Sequence, residues 1–229
     1  MEIRIESLLA GKIAPLGPRA APSAIDKQPV AGKARVTFVG LDCDQQGDPK
    51  VHGGPEKAVH HYPHDHYAVW RGEIGDNARL DHPGGFGENI STSGLDEHSV
   101  AIGDRFRFGT ALIEVSQGRQ PCWKLNARFD RPDMAMRVQK TGRTGWYYRV
   151  LEEGEVETGD SMTLVERLSP DWSLHRLWHL LYVDTLNYDE LALMAAIPHL
   201  ADGWKRYAVR RLENRKVEDW SGRLDGDKD

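Results

Sequence analysis

Residues 1 to about 168 alternate between short apolar runs and turn residues, a pattern that predicts β-strands. The predicted strands are Arg35–Val39, Arg105–Phe108, Ala111–Val115, Trp146–Val150 and Ser161–Val165. Gly109 and Thr110 are suited to a tight link between the second and third of these strands, which would make a hairpin. Many short strands separated by turn signals predict a mainly β fold, either a barrel or a sandwich.

Two helices are expected to interrupt these strands. One is predicted near Pro63–Glu73, where Tyr67 and Trp70 have helical spacing. The other is predicted to begin near Arg131, with a proline in its first turn, and to end at Gly142.

The pattern changes to helical spacing beyond the Ser169-Pro170-Asp171 sequence. Three short amphipathic helices are predicted there, and such helices can form a small bundle. Their apolar positions are Leu174, Leu177, Trp178 and Leu181 in the first, Tyr188, Leu191, Leu193 and Met194 in the second, and Trp204, Tyr207, Ala208 and Leu212 in the third. We therefore predict a β-barrel domain at residues 1–168 and a small three-helix domain at residues 169–229, whose charged end from Gly222 is expected to fray.

The composition and charge of the chain limit the kinds of molecule that it is expected to bind. The chain has 229 residues, 39% hydrophobic residues and a formal net charge of -5, which suits a globular protein. Because there is no basic excess, neither nucleic acid nor an anionic membrane is expected as a direct partner. Met1–Glu6 contains acids where a signal peptide has basic residues, and no long apolar run follows, so a cytoplasmic location is expected. With only 2 cysteines, the chain cannot build a self-contained four-cysteine iron–sulfur or zinc site.

A first candidate for chemistry is the His52–Lys57 segment. Its glycines, Gly53 and Gly54, would let backbone amides approach a ligand closely, and Lys57 adds a cation. The composition suits a phosphate-holding loop, although the spacing of a P-loop is absent. A solvated Gly-Gly turn explains the same residues.

Histidines directly downstream raise the alternative of a metal site. His60 and His64 have the i, i+4 spacing of a zinc-binding helix, and His61 and His66 lie beside them. However, the glutamate of the zinc motif is absent, and Pro63 disfavours a continuous helix between the two. Surface or hydrogen-bonding histidines are therefore the favoured interpretation.

Cys122 is the strongest candidate for a reactive side chain. Arg119 and Lys124 flank it, and nearby cations favour the thiolate, which attacks electrophiles and binds soft metals. A buried, inert cysteine is the alternative, and local chemistry leaves both open. Cys43 lies among acids that disfavour its thiolate, so it is the poorer candidate.

Taken in order along the chain, these clusters resemble the MOSC family, the molybdenum-cofactor sulfurase C-terminal domain. The matching segments are His52–Val59, Phe86–Asn89, Gly103-Asp104 and Gln117–Lys124. Further segments resemble the YiiM-like branch, which carries a C-terminal three-helix domain: His61–Pro63, Tyr67, Trp70, Lys124–Asn126, Thr141-Gly142 and Gly145-Trp146.

The resemblance implies a β-barrel core and a molybdenum–pterin cofactor whose metal is bound by Cys122. It also implies reduction of N-hydroxylated substrates, such as 6-hydroxylaminopurine, to amines. The residues expected to bind the cofactor are Gly53, Gly54, Lys57, Asn89, Gln117, Arg119, Lys124 and Asn126. His52 or His61 is expected to deliver a proton during N–O cleavage.

The partners expected are a small N-hydroxylated substrate and a separate electron donor of flavoprotein or ferredoxin type, because the chain carries no cluster or nicotinamide motif of its own. The helical domain is either its docking surface or a packing appendage, and homodimer formation is compatible with the sequence. One alternative is a non-catalytic sulfur carrier with a persulfide on Cys122. Another is a hydrolase or transferase that pairs Cys122 with His52 or His61.

Overall fold

A computed structural model describes residues 2–47 and 53–226 of the chain. The described strands are β1 (Glu2–Arg4), β2 (Ser7–Gly11), β3 (Ala14–Leu16), β4 (Ala21–Ser23), β5 (Lys27–Pro29), β6 (Ala34–Thr37), β7 (Gly40–Leu41), β8 (Val59–His61), β9 (Ile90–Ser91), β10 (Asp104–Phe108), β11 (Ala111–Gly118), β12 (Trp146–Glu152), β13 (Gly154–Val156) and β14 (Ser161–Arg167). The described helices are α1 (Asp65–Ile74), α2 (Lys124–Phe129), α3 (Met134–Thr141), α4 (Leu174–Tyr182), α5 (Tyr188–Ala195), α6 (Asp202–Asn214) and α7 (Ser221–Asp225), with short 3₁₀ turns at Pro55–Lys57 and Ala78–Leu80.

Nine of these strands form one curled sheet, in the order β1-β14-β10-β11-β12-β8-β9-β2-β5. Neighbouring strands are antiparallel except for β8 and β9. The chain therefore has the mainly β, barrel-type core that the sequence predicts. The predicted hairpin is also confirmed, because Phe108 pairs with Ala111 across the Gly109-Thr110 turn.

The five strands that the sequence predicts are present as β6, β10, β11, β12 and β14, whereas the other nine described strands were not predicted. The strand predicted at Arg35–Val39 ends at Thr37, and the chain reverses through Phe38 and Val39, both of which are exposed. The two predicted internal helices are present as α1 and α3, and Gly142 ends the second with a left-handed φ of 75°. Helix α2 was not predicted. It lies between Cys122 and the start of α3, and its burial of Leu125 and Phe129 comes from packing that a six-residue pattern does not reveal.

The C-terminal helices pack directly on the sheet. Leu177, Leu181 and Trp204 belong to the same apolar cluster as Phe106 and Val115 of β10 and β11. The sheet ends at β14 and the helices begin with α4, but the two parts share one core, so a division at residue 168 stays a prediction.

The end of the described chain is ordered, where fraying was expected from Gly222. Helix α7 buries Leu224, which is 2% exposed, in a second apolar cluster with Leu125 and Phe129 of α2. The sequence prediction rested on the charged residues of this segment and did not take account of the single buried leucine, Leu224. None of the helices in residues 2–47 and 53–226 is long and apolar enough to span a membrane.

Candidate functional site

Cys122 lies in the irregular segment between β11 and α2. The segment follows the end of a strand at Gly118, and Leu125 N donates to the Cys122 carbonyl oxygen at 2.9 Å as the helix starts. The residue is 8% exposed and borders an open cleft of about 600 Å³. The titratable and amide side chains around this cleft include those of Lys27, Asp44, Lys57, His60, Asn89, Arg119, Lys124 and Tyr147. The thiol therefore faces a cleft with a surplus of cationic groups.

Strand alternation decides which side chains reach the cleft. His60 pairs with Tyr147 across β8 and β12, and the two rings lie 4.9 Å apart on the cleft side. The next residue, His61, pairs with Trp146 and points into the barrel. Because successive side chains of a strand point to opposite faces, only one of the two adjacent histidines can line the cleft.

The His60 ring has an open hydrogen-bonding position. It is 4% exposed, and its Nε2 has no hydrogen-bond partner among the described residues. Burial, followed by the positive charge of Arg119, lowers its pKa well below 6.5. The imidazole is therefore uncharged near neutral pH and suits hydrogen bonding to a ligand better than proton delivery.

Arg119 directs a second open polar group at the same cleft. Its backbone N donates to the Gly145 carbonyl oxygen at 3.0 Å, which fixes the start of the Cys122 segment against β12. Its positive charge opposes the rise in the Tyr147 pKa that burial causes, and its Nη1 is buried and has no partner in the described structure. A buried, unmatched guanidinium nitrogen is costly, which makes it a natural contact for an anionic or carbonyl-bearing ligand.

A closed polar network forms another wall of the cleft. Lys27 Nζ lies 2.6 Å from both carboxylate oxygens of Asp44, and both side chains are 8% exposed. Asn89 Nδ2 donates to Asp44 Oδ2 at 2.9 Å, while Asn89 Oδ1 accepts from His60 N at 3.1 Å. The amide of Asn89 therefore ties β8 to this wall.

Two lysines lie at the cleft rim. Lys57 ends the 3₁₀ turn that begins after Gly54, whose φ of 91° is one that glycine adopts without strain. Lys124 opens α2, and its Nζ donates to the Pro22 carbonyl oxygen at 3.0 Å. Both contribute positive charge to the cleft that Cys122 borders.

The glycine-rich loop before Asn89 is held from beneath by Glu88. This carboxyl group is fully buried and accepts from Gly84 N at 2.7 Å, from Phe86 N at 3.0 Å and from the Tyr67 hydroxyl. All three donors belong to the protein, so Glu88 shapes the loop, and Phe86, Gly87 and Asn89 line the cleft.

The structure brings together five of the residues that the sequence selected and leaves five others outside the cleft. Those that line it are Lys57, Asn89, Arg119, Cys122 and Lys124. Those that do not are Gly53, Gly54, His61, Gln117 and Asn126. His52, the other histidine selected, lies outside the described residues.

The side chains outside the cleft have other contacts. His61 Nδ1 lies 3.0 Å from the Tyr148 hydroxyl and Nε2 lies 2.9 Å from Thr92 Oγ1, while burial lowers the histidine pKa to about 3. The Asn126 amide donates to the Leu224 carbonyl oxygen at 2.8 Å and accepts from Ala135 N at 2.7 Å. Gln117 lines a neighbouring pocket beside α6.

Sequence reasoning missed Lys27, Asp44 and Tyr147 and passed over His60. The sequence could have indicated His60, because side chains alternate along the strand Val59–His61 and adjacent histidines must then face opposite sides of the sheet. Lys27 begins β5 and Asp44 lies in the loop after β7, and only the folded sheet brings them together. No group of three or more His, Cys, Asp and Glu side chains within residues 2–47 and 53–226 is arranged to hold a metal ion.

Two family models match consecutive parts of the chain. The MOSC domain model matches residues 48–163. The model of the YiiM-like 3-alpha helix domain matches residues 172–215. The first match contains the Cys122 segment and just over half of the residues that line the cleft, and the second contains α4, α5 and α6.

Relatives extend the similarity to nearly the whole chain. Protein YiiM of Escherichia coli (strain K12) is 42% identical over 213 residues, which is 91% of this chain and 93% of that protein. A protein named reductase from Gibberella moniliformis is 38% identical over 193 residues, or 84% of this chain and 34% of that longer protein. The crystal structure of YiiM from Escherichia coli superposes with a TM-score of 0.82 at 35% identity, covering 98% of each chain.

Proposed function

Because the chain belongs to the MOSC family and to its YiiM-like branch, we propose that it is a molybdenum-cofactor-dependent reductase of N-hydroxylated compounds. The proposed substrates are base analogues such as 6-hydroxylaminopurine, which would be reduced to the corresponding amines. The observation that carries the proposal is the combination of Cys122 with two buried polar atoms, His60 Nε2 and Arg119 Nη1, around one cleft. Neither of these two atoms has a hydrogen-bond partner among residues 2–47 and 53–226.

The donor set of the cleft fits a molybdenum–pterin cofactor. Soft sulfur is a suitable ligand for molybdenum, and Cys122 supplies it. Lys57, Arg119 and Lys124 suit the cofactor's phosphate. His60 Nε2 and Arg119 Nη1 suit the polar edge of its ring system, which would supply the hydrogen bonds that these two atoms lack within the described part of the chain.

The protein's own residues would bind and orient in this reaction. When bound, the cofactor supplies the two-electron redox chemistry. Conversion of an N-hydroxyl group to an amine consumes two electrons and two protons and releases water. Since burial keeps His60 and His61 uncharged near neutral pH, neither is a ready proton donor, and water in the open cleft is the better source.

The electrons are proposed to come from a separate protein. The chain has 2 cysteines, Cys43 and Cys122, so a four-cysteine iron–sulfur cluster cannot form within it. It also lacks a strand-associated GxGxxG sequence for a nicotinamide cofactor. A flavoprotein or a ferredoxin-type carrier supplies such electrons elsewhere in redox chemistry.

The proposal is tested by comparing Cys122→Ser with the wild type after loading both with molybdenum cofactor. Reduction of 6-hydroxylaminopurine with a chemical electron donor should fall to background in the variant, and bound molybdenum should fall with it, because an alcohol is a poorer soft-metal ligand than a thiolate. Circular dichroism should be unchanged. Cys43→Ser is the matched control, since Cys43 does not line the cleft, and it should retain activity and metal.

Two outcomes would overturn the assignment. A fully active Cys122→Ser protein would remove the thiolate from the reaction. Purified protein that carries labile sulfur on Cys122 and binds no molybdenum would support the alternative of a sulfur carrier.

A further inference from the structure

Helix α7 lies against the segment that carries Cys122. Trp123 N donates to the Arg223 carbonyl oxygen at 2.8 Å, and Asn126 Nδ2 donates to the Leu224 carbonyl oxygen at 2.8 Å. The Leu224 side chain is buried in the apolar cluster that contains Leu125. The end of the described chain is therefore docked on the first turn of α2.

The Arg223 side chain contacts the same segment on the other side of the cysteine. Its Nη1 donates to the Pro121 carbonyl oxygen, and its Nη2 donates to Gln139 Oε1 of α3 at 2.5 Å. The guanidinium carbon lies 4.9 Å from the centroid of the Trp220 ring. One arginine thus joins the residue before Cys122 to a helix packed behind it.

The Cys122 segment needs such support. It follows the end of β11 and precedes α2, which has six residues and is too short to be stable in isolation. Trp123 at the start of α2 makes no side-chain capping hydrogen bond. The carbonyl of Arg223 satisfies the backbone amide there, and the guanidinium of the same residue holds Pro121.

We infer that the C-terminal segment Trp220–Leu224 is a positioning element for Cys122, with Arg223 and Leu224 as its positioning residues. They fix the backbone on both sides of the cysteine without lining the cleft. The inference takes Cys122 as the functional residue proposed above. It requires neither cofactor nor substrate, so it can be tested on the thiol itself.

The test measures alkylation of each cysteine by iodoacetamide in the cofactor-free full-length protein, with mass spectrometry of the labelled peptides. Arg223→Ala and Leu224→Ala should each raise the rate at Cys122 about tenfold, because loss of a charge-assisted hydrogen bond or a buried anchor lets the segment open locally. Arg223→Lys should give a smaller increase, since one ammonium group cannot reproduce the two-armed contact. The rate at Cys43 should stay constant throughout and provides the internal reference.

Arg4→Ala is the matched control, because Arg4 is an exposed arginine on the edge strand β1 and lines neither the cleft nor the pocket that contains Gln120. It should leave both cysteines at wild-type rates. A Cys122 rate within about twofold of wild type in both alanine variants would overturn the inference, since even one lost hydrogen bond of this class predicts a larger change. Equal acceleration at Cys43 and Cys122 would also overturn it, because that result indicates general loss of stability. Molybdenum binding enters none of these readouts, so failure here is separate from failure of the proposed reductase.

Discussion

His60 and His61 are neighbours on β8, yet they lie in different regions of the molecule. His61 belongs to the barrel interior, where Tyr148 and Thr92 satisfy both ring nitrogens. His60 belongs to the cleft, where its Nε2 is left without a partner in the described structure. Both rings are almost fully buried, so exposure does not distinguish them.

The difference shows how the same side chain serves the fold in one region and ligand binding in the other. A buried polar atom with a partner contributes modestly to stability, whereas one without a partner costs free energy. Natural proteins keep few atoms of the second kind, and those that remain call for an explanation. Two of them, His60 Nε2 and Arg119 Nη1, lie at the cleft of Cys122, where a bound ligand would remove the cost.

The largest effect predicted on the interior side is that of Glu88→Ala. This change removes the acceptor of three hydrogen bonds beneath the glycine-rich loop and leaves Gly84 N and Phe86 N without it. We expect the free energy of unfolding to fall by about 3–5 kcal/mol. Chemical denaturation followed by tryptophan fluorescence measures the change.

A suitable control for Glu88→Ala is Glu73→Ala. Glu73 is paired with Arg143 at 2.7 Å but is 39% exposed, and partly exposed ion pairs contribute less than about 1 kcal/mol. If both variants lost the same small amount, Glu88 would not hold the loop.

The comparison of the two histidines is tested directly by His61→Ala and His60→Ala. Each variant loses a buried imidazole, so the loss of packing is similar. Only His61→Ala also leaves two hydroxyl groups, those of Tyr148 and Thr92, without their hydrogen-bond partner. We expect His61→Ala to lose about 2 kcal/mol more unfolding free energy than His60→Ala. After cofactor loading, the order should reverse for bound molybdenum, which should fall in His60→Ala and stay near wild type in refolded His61→Ala.

Equal unfolding free energies for the two variants would break the comparison. So would equal molybdenum contents, because the cleft atom would then contribute nothing to ligand binding. Either result would leave the open position of His60 without a role.

Local patterns predicted four of the nine strands of the curled sheet, β10, β11, β12 and β14, because strand alternation and turn residues are local signals. The hairpin around Gly109-Thr110 and the end of α3 at Gly142 needed only neighbouring residues to be recognised. Helix α2 was missed because its six residues are fixed by long-range packing, including the contact between Asn126 and Leu224. The ordered α7 was missed for the same reason.

The sequence selected only part of the residues that line the cleft, and the differences have a common cause. Residues near Cys122 in sequence, Arg119 and Lys124, do line the cleft. Gln117 lies on β11, two residues before Arg119, but it lines the neighbouring pocket beside α6 instead of the cleft. Lys27 reaches the cleft from the start of β5 and Asp44 reaches it from the loop after β7. Only the folded sheet brings the two together, so a linear pattern carries no sign of them.

The last predicted effect, which tests the His61 ring alone, is the pH dependence of stability that His61 contributes. Burial lowers its pKa in the folded protein to about 3, whereas an unfolded histidine has a pKa of about 6.5. Between these values the unfolded chain binds a proton that the folded chain does not, so stability falls as pH decreases below about 6.5. The slope is about 1.4 kcal/mol per pH unit, and the stability gap between wild type and His61→Ala should therefore narrow by about 2 kcal/mol between pH 7 and pH 5. Urea denaturation of both proteins across that interval measures the gap, and a gap that stays constant would mean that His61 is not buried as an uncharged ring.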